Sequence, residues 1–399
     1  MNTSERSVRN LIRCILGLAM AVIAVGTGTN ASADSENYNR VLKSTAWIIT
    51  SDADDETSTG TGVYVDAEKR LVLTNAHVVG DSRSAVVFFP DIKDGLPRVE
   101  RKHYLTNVVK LAQPGKVVAI DRRRDLALIQ LPKAPENAEA ITIAETSTTP
   151  GSKVDTIGNP GDSDVLWVYT AGRVRSVYDK KFKSSHGEHD FRAVETQSPI
   201  KPGDSGGPVV NDEGQLVAIA QSFSPQSPLV SFCVDVLEIR KFMAEGWKQA
   251  PIATKTLLEN AGIEHEKHST GHYRVDFEYA TGKKQQVFVA KNTEYYQRAD
   301  VRRVWSLVQV SKESPSTELM MRLLRQSSAT KIGSWAVEKN DNGEFLLIYM
   351  AKLDATSPDE AVSGTIEYVA KIAGAMNSEL NPDAKEKSAA ATLASWLAD

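Results

Sequence analysis

The sequence predicts a multidomain chain: a β-rich first half built as a sandwich or barrel, followed by a smaller α+β domain. Three observations carry this. The 399 residues suffice for two or more compact domains. From Asn37 to Phe232 the chain reads as short β-prone runs broken by Gly, Pro, Asp and Asn turns, the pattern of a sandwich or barrel. Near Ala250-Pro251 the pattern changes to helices alternating with strands.

Taking the elements in order, Arg6, Arg9 and Arg13 precede an apolar stretch, Cys14 to Val25, which is short for a membrane span of about 20 residues. Small and polar residues follow, ending in Ala31-Ser32-Ala33. This is the layout of a secretory signal peptide over residues 1–33, with an uncleaved anchor as the alternative. Cleavage after Ala33 leaves Cys233 as the single cysteine, so the mature chain has no internal disulfide and relies on its cores. Cys233 lies in the apolar run Leu229 to Val236 and is expected to be buried and inert. An exported, disulfide-free chain suits a bacterial cell envelope, secreted or periplasmic. The net charge of −4 argues against a nucleic-acid partner.

Within residues 34–249, strands are predicted at 46–50, 62–65, 71–74, 85–89, 116–120, 126–131, 153–157, 166–169, 191–197 and 215–221. A helix over Val234 to Lys248 ends this region, its apolar face set by Val236, Ile239, Phe242 or Met243, and Trp247. Residues 250–380 read as helix 254–260, a hairpin of strands 273–279 and 285–289 turning at Ala280-Thr281-Gly282-Lys283, and strand 304–310. Helix 316–326, strands 331–337 and 345–351, and helix 358–376 follow. Residues 381–399 form an Ala-rich tail with Leu393, Trp396 and Leu397 as its anchors.

Three separated segments carry chemistry. A serine hydroxyl is a weak nucleophile at neutral pH. It needs a base, an acid to orient that base, and donors for the developing oxyanion. Leu73-Thr74-Asn75-Ala76-His77 ends an apolar strand in a histidine beside small residues. Asp125 stands just before the apolar run Leu126 to Ile129, placed to accept from His77 Nδ1; Asp121 is its nearby competitor but opens the basic turn Arg122-Arg123-Arg124 and reads as solvated. Taken alone, His77 reads equally as a structural histidine and Asp125 as a strand-start aspartate. The run Gly203-Asp204-Ser205-Gly206-Gly207-Pro208-Val209 decides between the readings. Glycines flanking Ser205 let the backbone turn tightly, so that the N–H groups of Gly203 and Ser205 form an oxyanion hole.

These segments, in the order His, Asp, Ser, resemble those of trypsin-like (chymotrypsin-fold) serine proteases, and more closely the HtrA/Deg branch. Gly60-Thr61-Gly62-Val63, Ile157-Gly158-Asn159-Pro160, Thr170-Ala171-Gly172-Arg173-Val174 and Glu195-Thr196-Gln197 add to the resemblance, which spans Ala46 to Ile239. It implies an all-β, chymotrypsin-like pair of six-stranded β-barrels with a catalytic triad of His77, Asp125 and Ser205 in the cleft between them. It also implies a primary pocket lined by Pro199, Ile200, Gln221, Ser222 and Phe223. No acid stands at the pocket base, so the pocket is expected to take small or apolar residues such as Val, Ala or Leu rather than Arg or Lys.

Two features depart from the branch. Asp204 replaces the usual Asn, and a buried carboxylate needs a partner, for which Lys201 is the candidate. The C-terminal half lacks a PDZ-type carboxylate-binding loop; its element order α-β-β-β-α-β-β-α resembles the type III secretion chaperone-like fold, which implies a partner-binding or self-associating module. His265, His268 and His272 are close in sequence but read as solvated rather than as a metal site, and no metal or cofactor is called for. The reading is an exported endopeptidase acting on proteins or peptides, with no stable membrane span once the signal peptide is removed. The alternatives are a catalytically latent, chaperone-like binding protein and an esterase. The esterase is disfavoured because α/β-hydrolases order their triad as Ser, acid, His.

Overall fold

Six strands in the first half of the chain close on themselves, and six more do so directly after them. The computed structural model describes residues 29–184, 187–224, 226–278, 284–296 and 299–380. Most of the expected signal peptide, the 280–283 turn and the 381–399 tail lie outside these residues. The expected cleavage point after Ala33 falls inside the first described helix, α1 (Thr29–Leu42).

The first barrel comprises β1 (Thr45–Ser51), β2 (Thr57–Asp66), β3 (Leu71–Thr74), β4 (Ser84–Phe88), β7 (Ala112–Asp121) and β8 (Leu126–Gln130), in the order β1-β2-β3-β8-β7-β4. The one-turn helix α2 (Ala76–Val79) follows β3. Between β4 and β7 lies an insertion not anticipated from sequence: the small hairpin β5 (Ile92–Lys93) and β6 (Leu96–Pro97), then helices α3 (Arg101–Thr106) and α4 (Val108–Leu111). Leu96, Leu105, Val108 and Val109 are exposed there, so apolar periodicity gave no usable signal.

The second barrel comprises β9 (Lys153–Gly158), β10 (Val168–Ser184), β11 (Gly187–Thr196), β12 (Pro208–Val210), β13 (Leu216–Ser224) and β14 (Ser227–Asp235), in the order β10-β11-β14-β13-β12-β9. β10 and β11 form one long antiparallel pair, from Val174 opposite Thr196 out to Ser184 opposite Gly187. The expected helix at 234–248 is corrected to α5 (Val236–Ala244), because β14 runs on to Asp235. Asp235 Oδ1 accepts from Leu237 N at 2.8 Å and caps the helix there.

The barrels share one core. Trp47, Leu73, Phe88 and Leu128 from the first pack in the same buried cluster as Ile157, Trp167, Phe191 and Ile219 from the second. Trp167 Nε1 donates to Thr45 O at 3.1 Å, and Trp47 stacks on Phe88 at 5.1 Å between ring centroids. Asn159, fully buried, donates its side chain to Ala46 O and Thr61 Oγ1 and accepts from Trp167 N. These bonds give the Ile157–Pro160 motif a role: it ties the second barrel to strands β1 and β2. The shared core makes the double barrel one packed unit, and side chains from both halves meet at its centre.

Beyond α6 (Thr254–Asn260), a twisted antiparallel sheet follows: β15 (Glu266–Lys267), β16 (Tyr273–Glu278), β17 (Lys284–Val289), β18 (Glu294–Tyr296), β19 (Ala299–Ser311), β20 (Ser334–Lys339) and β21 (Phe345–Asp354). Its order is β15-β16-β17-β19-β21-β20, with β18 pairing β19. Helix α7 (Thr317–Ala329), capped by Ser316, lies against β20. Helix α8 (Asp359–Leu380) lays Val362, Ile366, Val369, Ala370 and Ala373 on β17, β19 and β21, the i, i+4, i+7 spacing of one buried face. Leaving aside the short β15 and β18, the element order is the α-β-β-β-α-β-β-α expected.

Candidate active site

The site lies where β3 and β8 of the first barrel face the Lys201–Gly207 loop and β13 of the second. β3 ends at Thr74, and α2 presents His77 one residue into its first turn. Asp125 precedes β8 in the left-handed region, φ 57°, a conformation that aspartate tolerates better than most side chains. There its carboxylate is saturated with donors. Oδ1 accepts from His77 N at 2.9 Å, and Oδ2 accepts from His77 Nδ1 at 2.7 Å and Gln221 Nε2 at 2.9 Å. Asn75 Nδ2 holds the Asp125 carbonyl at 2.8 Å, which gives the residue two before His77 its own role. Asp121, the competitor, pairs with Arg124 at 2.9 Å, and Arg124 also meets Glu238 and Glu245.

The electrostatics follow from this packing. Burial would depress the His77 imidazole, but the Asp125 charge and hydrogen bond outweigh it and hold the pKa above the usual value. Burial would raise Asp125; the His77 charge, the His77 and Gln221 side-chain donors and the His77 N–H outweigh it and hold the carboxylate low. The pair is thus an ionised acid holding an imidazole by one nitrogen.

Ser205 reaches the pair through Gln221. Its Oγ donates to Gln221 O at 3.1 Å, while the same residue's side chain donates to Asp125. Its carbonyl accepts from Thr61 N at 2.8 Å, fixing the loop to the first barrel. A Cβ at Gly60 would sit 3.2 Å from Ser205 O and 2.6 Å from Val78 Cγ1, so the serine loop and the residue after His77 flank one glycine. Gly203 and Gly206 adopt φ 101° and 86°, and a Cβ at Gly206 would sit 2.0 Å from Thr61 O. Only glycine fits both positions. Among the described residues, neither the Gly203 nor the Ser205 N–H is taken up by a backbone carbonyl. Thr61 Oγ1 donates to Gly203 O at 2.8 Å and steadies that turn.

Several sequence expectations change here. Lys201 does not neutralise Asp204 with its ammonium, which pairs with the exposed Asp162 at 3.0 Å. Only the Lys201 backbone N–H reaches Asp204 Oδ2, at 2.8 Å, while Oδ1 is buried with no hydrogen-bond partner among the described residues. Burial pushes Asp204 up to about 6. Gln221, expected along the pocket, turns its side chain to Asp125 instead. Ile200 is buried in the second-barrel core with Val194 and Cys233, whereas Pro199 is exposed and Ser222 and Phe223 are half-buried. The three histidines of the C-terminal region are not simply solvated. His272 packs edge-on against Trp305, and burial lowers it to about 4; His268 meets Phe288 and His265 meets Tyr273. Cys233 is buried, and its thiol is pushed up to about 12 by burial.

The family model of the trypsin-like peptidase domain matches residues 60–219, which include the Asp–His pair, the Gly-Asp-Ser-Gly-Gly loop and most of the two six-stranded barrels. The region is similar to HtrA-like serine proteases. One, from Staphylococcus aureus, is 27% identical over 200 residues, 48% of this chain and 24% of the relative. The chain therefore spans about a quarter of that relative's length. Among solved structures, the active form of the Rv3671c protease from M. tuberculosis matches at 20% identity and TM-score 0.45, over 55% of this chain and 88% of that one. Deg5 matches at 18% identity and TM-score 0.40, over 54% and 93%.

Proposed function

We propose that this chain is an exported serine endopeptidase that cleaves protein or peptide substrates through an acyl-enzyme. Ser205 is the nucleophile. His77 takes its proton and passes it to the leaving amine, and Asp125 fixes the imidazole tautomer and offsets its charge. The N–H groups of Gly203 and Ser205 receive the oxyanion. The observation that carries this reading is the doubly held His77: Asp125 accepts from both its ring nitrogen Nδ1 and its backbone, which fixes the orientation of the ring that is to move the proton.

The primary pocket favours small or apolar side chains: no acidic residue stands at the motif position of its base, where the sequence has Pro199, and the half-buried Phe223 is large enough to narrow its entrance. Export rests on the N-terminal pattern; among the described residues no helix is long and apolar enough to cross a membrane. The α+β domain serves as a partner-binding or self-associating module.

A fluorophosphonate probe tests the reading. It is expected to label the wild-type chain at Ser205, and Ser205→Ala is expected to lose labelling and peptide hydrolysis with its fold intact. Turnover retained in that variant would end the assignment. A second reading, a latent protease-fold binding protein, is favoured by the unpartnered Oδ1 of Asp204 within the oxyanion loop. A folded wild-type chain that the probe never labels is its signature.

A further inference from the structure

One groove of about 370 Å³ has His77 in its wall and neither Ser205 nor residues 221–223 among its lining residues. Its near side is the β1–β2 turn, Asp52 to Ser58, with His77 to Ser82. Its far side is Ala253, Thr254, Tyr273, Lys291 and Asn292 of the C-terminal domain. We infer that the C-terminal domain is part of the substrate groove and builds the wall that holds the peptide segment C-terminal to the scissile bond.

The inference rests on the serine-peptidase reading and on the direction in which the proton travels. In acylation the Ser205 Oγ–carbon bond forms, the carbon–nitrogen bond breaks, and the serine proton passes by way of His77 to the departing amine. The leaving segment must therefore lie on the His77 side of the site, away from the acyl pocket at Ser222 and Phe223. The groove opens on that side.

The turn forming its near wall is held from the C-terminal domain. Lys255 Nζ donates to Ala53 O at 2.9 Å, and Tyr273 OH donates to Asp54 Oδ1 at 2.9 Å. Lys267 and Lys291 both reach Asp54 Oδ2 at 2.9 Å, and Lys291 also reaches Asp52 at 3.1 Å. Near the groove, the acids Asp52, Asp54, Asp55, Glu56 and Asp81 outnumber the bases Lys255, Lys267, Lys291 and Arg122 by one, and Arg122 also reaches Asp300. With Asp52, Asp54, Glu56 and Asp81 each paired within the protein, the groove-lining groups left to read a substrate are the exposed Thr57, Ser58 and Asn292 and the edge of β2. Thr57 to Thr59 pair only with Ile49 to Ser51 on one side, among the described residues. Such a groove suits an extended peptide read through its backbone, with little selection on side-chain charge.

The test uses the full chain, with Tyr273→Phe and Lys291→Ala as variants. Two substrates share one acyl half: an anilide with nothing beyond the scissile bond, and a peptide with three residues beyond it. An acyl-enzyme made from an ester is also partitioned between water and an added dipeptide amide. In that reaction the amine displaces Ser205 Oγ from the acyl carbon and its proton returns to the serine through His77. The peptide-to-anilide ratio of kcat/KM and the aminolysis fraction are both expected to fall at least fivefold in the variants. Tyr273→Phe removes a single hydroxyl, so it reports even if Lys291→Ala melts early. Unchanged ratios in Tyr273→Phe, with the wild type labelled by the fluorophosphonate, overturn the inference and leave the peptidase reading standing. A wild type that resists the probe overturns both.

Discussion

Gln221 Nε2 and His77 Nδ1 donate to the same oxygen of Asp125, at 2.9 and 2.7 Å, the first from the second barrel and the second from the first barrel. A buried carboxylate with several charge-assisted donors is stabilised by about 1.5–3 kcal/mol per donor. Gln221→Ala is expected to cost that much in denaturant unfolding. It is also expected to slow fluorophosphonate labelling about tenfold, or ~1.4 kcal/mol, because the carboxylate that sets the His77 tautomer is less firmly held. A variant as stable and as reactive as wild type would show that the contact is incidental.

The raised pKa of His77 sets the acid limb of activity. The base works only when neutral, so activity is expected to rise with pH and reach half its plateau above the ordinary imidazole value of 6.5. The raised His77 adds stability fully present below pH 6.5 and lost as pH rises through its folded-state value, while the lowered Asp125 adds stability present above the ordinary aspartate range and lost as pH falls. Asp125→Asn removes the charge that raises His77, so the limb moves down while the plateau drops by about 10⁴. A pH–rate profile with its midpoint unmoved in that variant would remove Asp125 from the triad.

The candidate site residues were legible because each sits in a run whose chemistry is local: a strand-end histidine, a strand-start aspartate, a serine between glycines. Gln221 was not, since nothing near it in sequence shows that its amide crosses to the other barrel. The opposite charge of Lys201, three residues from Asp204, suggests a pair, whereas the ammonium reaches Asp162 in solvent. The start of α5 is not visible in the sequence because Val234 and Val236 continue an apolar run across a strand-to-helix switch that only the Asp235 cap reveals. The C-terminal element order was legible from hairpin and helix periodicity, both local. The hold of Lys267 and Lys291 on the β1–β2 turn, set by residues remote in sequence, was not.

Asp204 makes a second pH prediction, of the same sign for stability as His77. Its folded-state pKa lies at about 6, above the value of 3.8 for a free aspartate, so the native state binds the extra proton between those limits. Stability contributed by this group is present at pH 3.8 and below and falls as pH rises to about 6, by ~3 kcal/mol for a shift of this size. Asp204→Asn carries no charge to bury. Its melting temperature relative to wild type is therefore expected to increase from pH 4 to pH 7.5. A difference independent of pH would mean that Asp204 is neutralised by other means.

Gly158 closes the other side of the same carboxylate. A Cβ there would stand 2.1 Å from Asp204 Oδ1 and 2.6 Å from its Cγ, with no room to coexist. Gly158→Ala must push the Asp204 side chain off its Lys201 N–H anchor and move the turn that carries Gly203 and Ser205. Overpacking of this kind costs about 1–3 kcal/mol. The larger expected effect is on reactivity, because a displaced oxyanion donor weakens stabilisation of the tetrahedral species by about 2.7–4 kcal/mol. Labelling is therefore expected to slow by more than tenfold, with a smaller loss of melting temperature. Gly246→Ala, where an added Cβ meets nothing within 4 Å, serves as the control and is expected to match wild type in both. Equal labelling in the two variants would show that the Asp204 side chain moves without carrying the oxyanion loop with it.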